Sequence, residues 1–152
     1  MCIRDRLVTV LGDNILADSL APHAAAYRAQ DGGARVLLKK VQDAERYGVP
    51  RFEGDEIVEI IGKPANPPSA FAVTGIYFYD AQVFDFIRQL SPSRRGEYEV
   101  SDVNSSYVRH SKLTYGILDG WWGDAGTIDG WHEANALARN LAYESYPSTQ
   151  GL

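Results

Sequence analysis

Hydrophobic positions along the chain fall into two patterns, separated by polar stretches rich in Gly and Pro. The first is the short, nearly continuous, β-branched run. Leu7-Val8-Thr9-Val10-Leu11, closed by Gly12, predicts a strand buried on both faces, as in the middle of an α/β sheet. Residues 35–41 repeat the pattern, and so do 113–118. Residues 71–79 form a longer, aromatic version. Residues 49–52 and 57–61 flank Glu53-Gly54-Asp55 and predict a hairpin.

The second pattern has helical spacing. Residues 20–30 are Ala-rich after Pro22 and stop at Asp31-Gly32-Gly33. Residues 81–90 place Val83, Phe84, Ile87 and Leu90 on one predicted face. A helix capped by Ser101 or Asp102 is expected to run to 109, and a last helix spans 127–144. Between these lie a connector at 43–48, a proline-broken loop at 63–69, a polar basic loop at 91–97 and a Gly/Trp loop at 120–126. Strands and helices alternate without an internal repeat, which predicts an α/β domain with a mixed sheet. In such sheets ligands gather at the C-terminal ends of the parallel strands, and Gly12-Asp13-Asn14 follows one predicted end.

Residues 1–6 read poorly as the start of a domain, and a domain that opens on a central strand is unexpected. The organisation expected is therefore a leader at 1–6, the C-terminal portion of one domain at 7–145 and a tail at 146–152. The 152 residues suffice for one hydrophobic core, and 45% hydrophobic with 23% charged residues is ordinary for a globular chain. A formal net charge of −5 argues against a nucleic-acid partner. No apolar run approaches a membrane span. The single cysteine, Cys2, cannot form an internal disulfide, which fits a cytoplasmic address. His23, His110 and His132 match no zinc spacing.

The chemistry-bearing candidates lie in tight loops. Asp13 and Asp124 both follow predicted strands, and two carboxylates on separate strand-end loops suit Mg²⁺, which keeps waters and takes further oxygens from substrate phosphates. Aspartate also favours turns for purely local reasons. Lys63, before Pro64, offers a point charge to a phosphate, and Arg94-Arg95-Gly96 offers guanidinium donors with an open backbone. Solvated surface cations are the plainer reading of both. Tyr47-Gly48 is a turn or a sugar-facing edge. The residues alone do not specify a reaction.

Taken in order, the segments are more specific. Gly12-Asp13-Asn14, residues 41–49 with Tyr47-Gly48-Val49, Lys63-Pro64, residues 71–80, residues 92–104 and Asp124-Ala125-Gly126-Thr127 together resemble the sugar-1-phosphate nucleotidylyltransferases, closest to the glucose-1-phosphate thymidylyltransferases. The resemblance covers roughly residues 7–145. It implies a Rossmann-like mixed-sheet nucleotidyltransferase fold of the glycosyltransferase-A-like kind, incomplete at its N-terminus. It also implies a Mg²⁺-dependent attack of a sugar-1-phosphate oxygen on the α-phosphorus of a nucleoside triphosphate, with pyrophosphate leaving. Asp13 and Asp124 match the metal ligands, Lys63 the lysine on the sugar phosphate, and Arg95 a second phosphate-binding residue. Tyr47, Gly48 and Val73 line the sugar side.

Two departures stand out. Gly62 stands where the family commonly has a glutamate that accepts hydrogen bonds from sugar hydroxyls. The Gly-rich loop and base-reading segment that grip the triphosphate are absent from this sequence, which implies a chain inactive alone. The alternatives are a UTP-using relative and a non-catalytic sugar-nucleotide-binding regulatory module. Family members are usually homo-oligomers.

Overall fold

The computed structural model describes residues 5–93 and 96–145. Its centre is β6 (Phe71–Asp80), the long aromatic run, where residues 74–79 are all buried. On one edge β6 pairs antiparallel with β3 (Ala34–Lys40), and β3 in turn pairs parallel with β7 (Leu113–Ile117). On its other edge β6 meets two strands in succession. β4 (Gly48–Glu53) pairs at Val73, and β1 (Arg6–Val10) pairs antiparallel from Ile76 to Asp80. β5 (Glu56–Gly62) completes the sheet as the hairpin partner of β4. Strands β1, β3 and β7 therefore run the same way. A separate two-stranded ribbon joins β2 (Asn14–Leu16) to β8 (Trp122–Asp124).

Period-two alternation along β6 sends its side chains to two cores. Ile76 and Phe78 pack with Leu37, Leu118 and Tyr27 beneath α1 (Ala21–Ala29). Tyr77 and Tyr79 pack on the opposite face with Val36, Leu38, Val103 and Tyr107, beneath α2 (Gln82–Gln89) and α3 (Val100–Arg109). Polar groups inside this second core are matched: the Tyr79 hydroxyl donates to Asn104 Oδ1 at 2.6 Å, and the Tyr107 hydroxyl to Asp80 at 2.9 Å. The last helix, α4 (Ile128–Ser145), rests on β8, with Ala134 against Gly123. The layered mixed sheet is the expected α/β fold.

Several expectations are corrected. The first strand is not buried on both faces. Among the described residues it pairs only with β6, and Val8 and Val10 are 51% and 46% exposed. It also begins at Arg6, whose guanidinium donates to the Tyr27 and Gln30 carbonyls and lies 5.2 Å from the Tyr27 ring centre. On α2 the buried face is Val83, Phe86 and Leu90, whereas Phe84 and Ile87 are exposed, so the helix is rotated from the predicted face. Glu99, not Ser101 or Asp102, stands at the N-cap of α3. The 120–126 segment is no plain loop, because Trp122–Asp124 pairs with Asn14–Leu16. Neither short strand has the length that makes a period legible. Among the described residues no helix is long and apolar enough to cross a membrane.

Candidate functional site

The site forms where β6 changes partner. Between Val73 and Ile76 one edge of β6 has neither β4 nor β1 beside it, so a backbone N–H would be left unpaired. Asn14 fills the gap: its Oδ1 accepts from Gly75 N–H at 2.8 Å and from the Trp122 indole at 2.8 Å. Position 75 must be glycine, because a Cβ there would strike the Asn14 amide and come within 2.9 Å of Leu11 Cβ. The Asn14 amide nitrogen then donates to Asp13 Oδ1 at 2.8 Å, fixing that carboxylate.

Asp124 arrives from the far end of the chain. It pairs in register with Asn14 across the ribbon, and Ala125 N–H donates to the Asp13 carbonyl at 2.7 Å. Gly130 lets the first turn of α4 close onto the Asp124 carbonyl, and Asp124 Oδ1 accepts from Gly126 N–H at 2.9 Å. The two carboxylates converge. A Cβ placed on Gly126 would lie 3.0 Å from Asp124 Oδ1 and 3.1 Å from Asp13 Oδ2, so those oxygens are no more than about 6 Å apart. Both aspartates are half-buried. No cluster of three or more His, Cys, Asp or Glu side chains suited to a metal occurs among the described residues. Two carboxylate oxygens no more than about 6 Å apart nevertheless fit a hard cation that completes its shell with water and phosphate oxygens.

A cavity of about 410 Å³ is lined by Gly48, Gly62, Lys63, Val73, Tyr77 and Asn104, among others; neither aspartate lines it, and Tyr77, which feels the charge of Asp13, links it to them. Four of the residues expected on the substrate side thus share one cavity. Tyr47 does not. It lines a neighbouring cavity of about 450 Å³ with Asp124, Asp43 and Glu133, and its ring meets that of Trp122 edge-on at 5.3 Å. Burial pushes its hydroxyl pKa up, Arg46 opposes this, and Asp43, Asp124 and Glu133 add to it. Arg95 lies outside the described residues.

Lys63 sits in the left-handed region at φ 46°, with its N–H donating to the Tyr47 carbonyl at 2.8 Å. Backbone strain of this kind collects at functional positions. Gly62 has ordinary φ, and a Cβ there would meet nothing within 4 Å. Tyr77, unremarked in the sequence beyond its membership of a core strand, lines the cavity. Burial first and Asp13 second push its pKa up to about 12, so its hydroxyl stays a neutral donor at physiological pH. Asn14, Gly75, Trp122 and Gly126 stood within the segments singled out in the sequence, but without a role. The one available signal was the asparagine directly following a candidate ligand.

A mixed sheet that splits to admit paired carboxylates, in a domain that also carries a lysine-lined cavity, has the kind of groups that phosphate and a cation require. The family model for nucleotidyl transferases matches residues 2–140, and the chain belongs to that family. It is 41% identical over 141 residues to the glucose-1-phosphate thymidylyltransferase of Neisseria meningitidis, covering 90% of this chain and 49% of the relative. It is 33% identical over 135 residues to a low-salt glycan biosynthesis nucleotidyltransferase of Haloferax volcanii, covering 88% of this chain and 38% of the relative. A Bacillus anthracis protein assigned as a glucose-1-phosphate thymidylyltransferase, crystallised with sucrose, superposes with a TM-score of 0.85 at 48% identity, covering 91% of this chain and 56% of that one. The chain spans about half the length of the curated thymidylyltransferases it matches.

Proposed function

We propose that the chain contributes the metal ligands and the sugar-phosphate half of a nucleotidylyltransferase. The reaction is transfer of a nucleotidyl group from a nucleoside triphosphate, dTTP first, to a sugar-1-phosphate, glucose-1-phosphate first, releasing pyrophosphate. The supporting observation is the convergence of Asp13 and Asp124 at Gly126, with Tyr77, which feels the charge of Asp13, lining the cavity that carries Lys63. Such transfer depends on positioning and charge neutralisation rather than a covalent nucleophile.

In this reading Asp13 and Asp124 hold Mg²⁺, which supplies positive charge at the phosphates when bound. Asn14 fixes one oxygen of Asp13 and leaves the other to the cation. Lys63 neutralises the sugar phosphate, with Arg95 as its second cation. The bare backbone of Gly48 and Gly62, the Val73 methyls and the neutral Tyr77 hydroxyl face the sugar, and Tyr47 closes the site beside Asp124. The protein works in the cytoplasm, without nucleic acid or membrane, and as a homo-oligomer. The triphosphate grip is not in this sequence, so the chain alone is expected to release no pyrophosphate.

The test pairs binding with turnover. Mn²⁺ replaces Mg²⁺ as a paramagnetic probe, and the chain should bind it with an affinity that Asp124→Asn lowers at least tenfold. Supplying the N-terminal half of a thymidylyltransferase relative should restore pyrophosphate release that requires both dTTP and glucose-1-phosphate. Gly62→Glu in that complemented protein should lower KM for a hexose-1-phosphate by about tenfold, since a hydrogen bond to a charged group contributes about 1.5–3 kcal/mol. Wild-type chain that ignores Mn²⁺, or turnover indifferent to Asp124→Asn, would remove the reading.

A further inference from the structure

Lys39 ends the buried part of β3, and its ammonium is fully engaged. Nζ donates to three consecutive backbone carbonyls, Leu118 at 3.1 Å, Asp119 at 3.0 Å and Gly120 at 2.5 Å. An ammonium has three N–H donors, and all three find a partner. The carbonyls belong to the turn between β7 and β8. The same turn is gripped from its other side: both oxygens of Asp18 accept from Gly120 N–H, at 2.8 and 3.0 Å, and a side chain at position 120 would collide with that carboxylate. Leu118 N–H completes the hold by donating to the Leu38 carbonyl at 2.9 Å.

The turn leads directly into β8. The short stretch from Gly120 to Asp124 carries Trp122, whose indole donates to Asn14. Carbonyl oxygens at the end of a strand repel one another when they point the same way. A cation at their focus makes that conformation favourable and fixes the direction in which the chain leaves the sheet.

We propose that Lys39 is a positioning residue: by drawing the carbonyls of residues 118–120 onto one ammonium, it sets the exit of β8 so that Asp124 stands beside Asp13. The functional half of this inference rests on the reading of these aspartates as cation ligands. The structural half does not.

Two readouts separate them in the chain as it exists. Hydrogen exchange of the Trp122 indole, identified by loss of its NMR signal in Trp122→Phe, reports the β8 position without any metal, and the exposed indole of Trp131 serves as reference. Lys39→Met keeps the aliphatic stem and removes charge and donors. It should speed exchange of the Trp122 indole at least tenfold and weaken Mn²⁺ binding by a similar factor. Lys39→Arg, which restores charge and several donors, should recover most of both. Leu38→Ala, a core truncation on the same strand but in the opposite core from Trp122, controls for general loosening and should leave both readouts within about threefold of wild type. The inference fails if Lys39→Met leaves indole exchange unchanged, or if Leu38→Ala moves it as far. If wild-type chain binds no Mn²⁺, the ligand reading fails, and indole exchange alone decides the role of Lys39.

Discussion

Along one edge of β6 the ladder to β3 reaches from Phe71 to Tyr79, with one irregularity between Val36 and Leu38. Along the other, β4 departs at Val73, β1 takes over at Ile76, and the gap is closed by the side chain of Asn14. The β3 edge is surrounded by residues with no solvent contact, Val36, Leu37, Leu38 and Ile76 among them, and carries no candidate chemistry. The interrupted edge holds Asp13, borders the cavity with Lys63, and receives Asp124 from the ribbon. At its one slip the β3 ladder is closed from within, the buried Thr74 hydroxyl donating to the Leu37 carbonyl at 2.9 Å, and nothing is left to bind with. The gap on the other edge is closed by Asn14 from outside the ladder, and that side chain brings a carboxylate with it.

The largest effect should come from the continuous edge. Leu38→Ala removes a fully buried side chain on the core face away from the ribbon and is expected to cost about 2–5 kcal/mol in urea unfolding, with Mn²⁺ affinity little changed. Comparable loss of Mn²⁺ binding in this variant would break the separation of the two edges. Gly126→Ala should do the reverse. Its methyl group would occupy the space between the two carboxylates, lowering Mn²⁺ affinity at least tenfold, about 1.4 kcal/mol. Unfolding stability should stay within about 0.5 kcal/mol, because Gly126 is exposed and its φ is ordinary.

A smaller effect tests whether strain belongs to the interrupted side. Lys63 has φ 46°, which glycine adopts freely. Lys63→Gly should therefore raise stability by about 1 kcal/mol relative to Lys63→Ala, while both lose whatever phosphate affinity the ammonium gives. Equal stabilities would show the backbone there to be unstrained.

The smallest effect concerns His23 on α1, across the sheet from the cavity. Burial first, then Arg35, lowers its pKa below 6.5, against the opposing pull of Asp18 and Asp119. The fold therefore disfavours the charged ring. Its contribution is complete above the unfolded value and is lost as pH falls through the folded one. The urea midpoint should drop between pH 7 and pH 5, and His23→Gln should reduce that drop. An identical pH dependence in the variant would discard the assignment.

How far the sequence disclosed these regions depends on the kind of force that forms them. β3, β6 and the β4–β5 hairpin follow from local apolar pattern, because burial on the sheet dictates it. Lys63, Gly48, Gly62 and Val73 were legible as a set only through family resemblance. Their meeting in one cavity depends on how β4, β5 and β6 pack, which no local pattern records. The local pattern of β1 does not distinguish an edge strand from a central one, since both can share the composition Leu-Val-Thr-Val-Leu. Asn14 escaped notice since its task, capping Gly75 sixty-one residues away, exists only after β1 and β4 have parted.

The β2–β8 ribbon has a consequence for the order of folding. Asn14 and Asp124 pair across about 110 residues of chain, whereas the β4–β5 hairpin closes within a few. Loop closure grows costlier with the length enclosed, so the hairpin is an early event and the ribbon a late one. The paired carboxylates are consequently expected to assemble last and to separate first when the chain frays. A ligand bridging them would act as a clasp on this final step. A ligand bound only by the closed ribbon, at a hundred times its dissociation constant, adds about 2.7 kcal/mol to the folded state. That gain would show mainly as slower opening, since contacts formed after the transition state act on the unfolding rate.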